Sequence, residues 1–256
     1  MKMIDAHIHL DRYTEKEIDL IVERTDSIEA LLSVSFNLES CKRNLQLSRR
    51  YQKIKPLFGF HPEQSLPTED QFARLIEWMG SHQAEMIAIG EVGLPYYLRE
   101  DHKVSRMQYG KYIDHLKTFV EMAKKWDKPI VLHAVYDDAT VVCDLLEKHS
   151  VTKAHFHWFK GDVKTISRMI EAGYFISVTP EIVYKEKIQK LVQTYPLGKM
   201  MIETDGPWPF EGPFSGKRTH PDMMKHSIYM IAKIKNLSEE EVSERLLENT
   251  KEFYGI

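Results

Sequence analysis

Two histidines stand two residues apart in the apolar run Ile4-Asp5-Ala6-His7-Ile8-His9-Leu10. Read as a β-strand, that run puts alternate side chains on one face, so both imidazoles project toward one bound ion. Neutral imidazole is the commonest side-chain metal ligand, and such a pair needs only a carboxylate or water to complete a site. The plainer alternative is two half-buried histidines that satisfy backbone groups. Against it stands a pattern repeated along the chain. Glu91 follows the apolar run 86–90, His133 ends 129–133, His157 ends 153–157, and Asp205 follows 200–204. Each has an ordinary reading alone, Glu91 as a loop or helix-side charge and Asp205 as a turn residue before Gly206-Pro207. Six such groups gathered in one place would be a costly accumulation of buried polarity unless a metal satisfied them.

Two further histidines need placing. His155 shares a strand face with His157, so periodicity does not separate them. Position favours His157, nearer the C-terminal end of its run, and leaves His155 one layer deeper as a hydrogen-bonded core histidine. His61, in Gly59-Phe60-His61-Pro62, points to the same rim as a substrate contact, a donor to a metal ligand or a loop cap.

The elements that must position these residues alternate along the chain. Apolar β-type runs occur at 3–9, 30–36, 54–60, 86–90, 129–133, 153–157, 174–178 and 199–203, with amphipathic helical stretches at 14–24, 69–82, 105–126, 138–149, 162–172 and 182–195. Strict alternation implies right-handed crossovers and a parallel sheet. Eight strands in 256 residues match the (β/α)8 TIM barrel of about 250 residues, here a single domain over 1–256. In that fold the chosen residues fall at the C-terminal ends of strands, where barrel enzymes build their sites. Ser238 followed by Glu241 is a capping box for a last helix, and the irregular stretch 206–219 reads as a functional loop.

Composition removes several function classes. Hydrophobic content of 43% with 29% charged residues is that of a soluble protein, and no apolar stretch approaches the ~20 residues a membrane span requires. With no apolar leader segment, Cys41 and Cys143 are expected to be reduced thiols of a cytoplasmic protein, monomeric or weakly homo-oligomeric. A net charge of −3 gives no global attraction to nucleic acid, so a polyanionic substrate must be held locally, by metal or by basic groups. Lys160, Lys185, Lys217 and Arg218 are candidates for such contacts or else solvated charges.

The ordered segments AHIHLD, GFHPE, AIGEVGLPYY, KPIVLHA, HWFKG, GYFISV, PLGKMMIETDGPW and RTHP resemble the TatD family of metal-dependent hydrolases, within the amidohydrolase-type barrel superfamily. The resemblance covers nearly the whole chain. It implies His7 and His9 on one divalent ion, His133 and His157 on a second, Glu91 bridging, and Asp205 as ligand and base. It implies phosphodiester substrates too, since the family includes deoxyribonucleases. Two departures bear on substrate: Pro95 stands where the family usually has Asp, and Ala134-Val135 where it usually has Ser-Arg. Val135 cannot form the bidentate phosphate contacts of an arginine.

Four imidazoles and two carboxylates suit zinc, manganese, cobalt or iron better than calcium, with magnesium also open. Two divalent ions support hydrolysis, lowering the pKa of a water and polarising a phosphoryl or carbonyl oxygen. The expected activity is phosphodiester cleavage, with DNA ends as one substrate and with Lys160, Arg218 or His61 steadying developing charge. Hydrolysis of carboxylic esters, lactones or amides is the alternative, and a non-catalytic metal-binding barrel a second.

Overall fold

The computed structural model describes residues 1–256, the side chain of Arg24 excepted. Each apolar run forms a strand: β1 Met3–Ile8, β2 Ile28–Ser33, β3 Ile54–Phe58, β4 Ala88–Gly93, β5 Ile130–His133, β6 Ala154–Phe156, β7 Phe175–Val178 and β8 Met200–Ile202. All neighbours pair in parallel and in sequence order. The two ends of the series meet where Asp205 N–H donates to His7 O at 2.9 Å and His9 N–H to Gly206 O at 2.7 Å. The fold is a (β/α)8 TIM barrel, nearly closed between β8 and β1.

Strands covered on both faces read as continuous apolar runs, which is why these were visible in the sequence. Inward residues such as Ile4, Leu32, Leu57, Ala88, Val131 and Met201 form one cluster with Tyr254 and Phe253 from the end of the chain. A larger cluster packs the outer strand faces against helices, as where Ile89 and Ile130 share a core with Leu116 and Phe119.

The helices are α1 Glu15–Arg24, α2 Leu38–Arg50, α3 Glu69–Ser81, α4 Tyr96–Glu100, α5 Arg106–Trp126, α6 Asp137–Lys148, α7 Val163–Glu171, α8 Glu186–Thr194, α9 Met224–Lys235 and α10 Glu239–Tyr254. Capping boxes at Thr14/Glu17, Thr68/Gln71, Ser105/Gln108 and Ser238/Glu241 satisfy first-turn backbone donors and fix where each loop gives way to helix. Among the described residues no helix is long and apolar enough to cross a membrane.

One helix is added to those expected, and two expectations are corrected. Helix α2 shows no clean apolar stripe because polar residues interrupt Cys41, Leu45 and Leu47 on its inner face: Asn44 is buried and bonds Ser33, Ser35 and the Val34 carbonyl. The expected 182–195 helix is two elements, a 3-10 turn Pro180–Val183 and then α8, because Lys185 between them is extended. Glu181 in that turn faces inward and accepts the Trp158 indole N–H at 2.6 Å, tying the turn to the barrel rim. Glu91 does not follow its strand but lies inside β4, two residues before Gly93, which pairs with His133.

Candidate metal centre

At the C-terminal mouth of the barrel, β1, β4, β5, β6 and the turn after β8 bring the six expected residues together. All are buried, with Glu91, His7 in β1 and His9 just after it at 0% exposure. Glu91 stands at the centre, one carboxylate oxygen facing each imidazole pair. Its Oε2 lies 3.2 Å from His7 Nε2 and 3.4 Å from His9 Nε2. Its Oε1 lies 2.9 Å from His133 Nδ1 and 2.5 Å from His157 Nε2. Asp205 closes the β1 side, with Oδ1 at 3.4 Å from Nε2 of both His7 and His9. Asp205 takes a left-handed backbone conformation, φ 50°, which aspartate tolerates better than most side chains.

The donor set fits a divalent metal. Both ring nitrogens of His7 and His9, Glu91 Oε2, His157 Nδ1 and Asp205 Oδ1 are buried without a hydrogen-bond partner. Leaving so many polar atoms orphaned is expensive, and clusters of buried imidazole and carboxylate are what cations satisfy. Two of the three-residue groups close enough to share an ion are His7, His9 and Glu91, and His61, Glu91 and His133. Burial would raise the Glu91 carboxyl, but the imidazoles of His157, His61 and His7 hold it well below its usual range. Asp205 is likewise lowered against the effect of burial, chiefly by His7 and His9. Burial would lower His9, yet the facing carboxylates of Asp205 and Glu91 bring it up to about 9. These are the shifts of a site built to hold positive charge.

A cavity of about 320 Å³ opens above the cluster, lined by His61, Glu63, Tyr97, His133, Val135, His157, Trp158, Asp205 and Trp208. His61 stacks on Phe36 at 4.4 Å and turns Nε2 toward Glu91 Oε2 at 3.5 Å. Its Nδ1 accepts the Glu63 N–H at 3.1 Å, which leaves the proton of the neutral ring on Nε2, facing the site. His155 is the core histidine: Nδ1 meets Tyr254 Oη at 2.7 Å and Nε2 meets Ser177 Oγ at 2.6 Å.

The expected basic contacts do not line the cavity. Arg218 is bonded to Glu17 at 2.9 Å and covers Tyr13. Lys160 is nearer, its ammonium 4.5 Å above the Trp158 ring and 3.6 Å from Glu181. Lys185 pairs with Glu211 and Lys217 bonds the Pro213 carbonyl. Sequence reasoning missed Glu63, Tyr97, Trp158 and Trp208 in the wall. Trp208 lies in the loop already singled out, and Glu63 and Trp158 adjoin chosen histidines within two residues, so proximity in sequence was the available signal.

A family model described as "TatD related DNase" matches residues 4–255. The chain belongs to the TatD-related DNase family. It is a TatD-type metal-dependent hydrolase. A metal-dependent hydrolase of Haemophilus influenzae is 37% identical over 255 residues, with 99% of this chain and 100% of that protein covered. A human protein named Deoxyribonuclease TATDN3 is 28% identical, with 98% and 94% covered. In three dimensions the chain matches the TatD homologue YjjV of Escherichia coli with a TM-score of 0.87 at 22% identity, covering 99% of this chain and 98% of that one. That likeness supports the TatD barrel as the fold.

Proposed function

We propose that this TatD protein hydrolyses phosphodiester bonds at a two-ion centre, in the manner of a deoxyribonuclease. The observation that carries the reading is Glu91, buried between two imidazole pairs with one oxygen toward each. His7 and His9 would hold one ion and His133 and His157 the other, with Glu91 shared and Asp205 on the His7–His9 side. Zinc, manganese or magnesium fits oxygen and imidazole donors of this kind. Such ions supply an acidified water and Lewis acidity toward the substrate oxygen. The chain supplies the rest. Asp205, ionised and on the cavity wall, accepts the proton of the attacking water. His61 presents an Nε2–H to charge developing on the substrate. Tyr97, Trp158 and Trp208 exclude water and offer flat apolar faces. A cavity of this size with no lysine or arginine in its wall suits a chain end or unpaired nucleotide rather than a duplex.

The absence of basic groups from the wall, with Val135 in it, also favours a second reading, hydrolysis of an uncharged ester, lactone or amide. Side-by-side assays decide. The metal-loaded protein is expected to release mononucleotides from single-stranded oligonucleotides and to cleave small phosphodiesters. Efficient turnover of carboxylic esters or lactones with no diester cleavage would transfer the assignment to the second reading.

A further inference from the structure

Glu63, in the loop after β3, touches more of the site than any residue of the loop's sequence suggests. Its Oε1 accepts the Tyr97 N–H at 2.8 Å and its Oε2 the Leu98 N–H at 2.9 Å, so two backbone donors of α4 fix the carboxylate in place. Oε1 also lies 3.2 Å from Nε2 of His133. The other ring nitrogen, Nδ1, faces the interior, 2.9 Å from Glu91 Oε1 and 3.4 Å from His157 Nε2. A histidine at a strand end can turn its ring over and exchange the two nitrogens. A carboxylate receiving the proton on one of them fixes both orientation and tautomer, and raises the basicity of the other.

We propose that Glu63 is a positioning residue that sets His133 with Nδ1 toward the site and Nε2–H toward the carboxylate. The inference rests on the two-ion reading. The carboxylate acts through His133 and assigns it the opposite nitrogen from His157, which faces Glu91 through Nε2. Through its own backbone N–H, Glu63 also fixes the tautomer of His61. Substitution by glutamine keeps the size but replaces one acceptor oxygen with a donor, which cannot satisfy Tyr97, Leu98 and His133 together.

The test uses full-length wild-type and Glu63→Gln protein, stripped by chelation and titrated calorimetrically with zinc alone. The wild type is expected to take two ions. Glu63→Gln is expected to hold the His7–His9 ion within about threefold of wild type and to lose about 10- to 100-fold in affinity at the other, the usual cost of removing a partner behind a ligating histidine. Histidine ¹⁵N spectra should show His133 protonated at Nε2 in the wild type and a mixture in the variant. Two undiminished affinities, or equal losses at both ions with a lower melting temperature of the metal-free protein, would overturn the proposal. The second outcome is what mere anchoring of α4 would give. If the wild type takes one ion, the two-ion reading fails, and the ¹⁵N spectra alone decide whether Glu63 orients His133.

Discussion

Asp205 is the residue on which the proposed chemistry turns, and its backbone makes it unusually testable. Asparagine tolerates the left-handed conformation as readily as aspartate, so Asp205→Asn keeps the turn while removing the charge. If Asp205 accepts the proton, kcat should fall about 10²- to 10⁴-fold with a smaller change in KM, at unchanged metal content. Near-normal turnover would place the base elsewhere. His9 carries a second prediction at this scale. In the metal-free protein its pKa is about 9 against an ordinary 6.5, so its protonated form contributes stability below pH 6.5 that is lost as pH rises through 9. A divalent ion must displace that proton. Apparent affinity should therefore climb with pH up to about tenfold per unit for each proton displaced, and flatten above pH 9. Titrations at pH 6.5, 7.5 and 8.5 measure it, and a pH-independent affinity would show that the ring is already neutral.

At the scale of elements, the site depends on how closely β4 and β5 approach. A Cβ on Gly93 would collide with the His133 carbonyl, so this glycine allows the strand that carries Glu91 to lie against the strand that carries His133. Gly93→Ala should cost about 1–3 kcal/mol, at about 2–4 °C of melting temperature per kcal/mol, and should lower metal content. Gly110, inside α5 with nothing near its missing Cβ, should behave oppositely. There Gly110→Ala should stabilise by about 0.5–1 kcal/mol and leave metal binding alone. Thermal melts and elemental analysis of the two variants check both. The same level explains what could be read from sequence. Strands buried on both faces announce themselves as unbroken apolar runs, and polar residues at or near their C-terminal ends marked the six that the structure gathers. Helix α2 did not, because its buried face mixes Ser40 and Asn44, whose partners lie outside the helix, with the apolar Cys41, Leu45 and Leu47. Glu63, Trp208 and, in the short helix α4, Tyr97 were missed for a related reason: outside the strands, residues reach the cavity through turns of the backbone that have no period.

For the whole molecule, the question is whether the barrel needs its metal. The cluster leaves buried polar atoms orphaned when no cation is bound, but it caps a barrel whose interior and outer shell are continuous apolar packing. The two cysteines report on that packing. Cys41 and Cys143 are fully buried free thiols, and burial pushes each up to about 12, so the reactive thiolate is scarce at pH 8 in the folded state. Chelator-stripped protein at pH 8 and 25 °C should therefore keep its far-ultraviolet dichroism and leave both thiols unreactive toward a disulfide reagent until denaturant is added. Its melting temperature should nevertheless fall below that of the loaded protein. Ions that bind only the folded chain stabilise it by about 4 kcal/mol at a thousandfold excess over Kd, so the difference should grow with metal concentration. Prompt labelling of both thiols on stripping would mean that the ions hold the barrel closed, and that its mouth is structurally as well as chemically dependent on them.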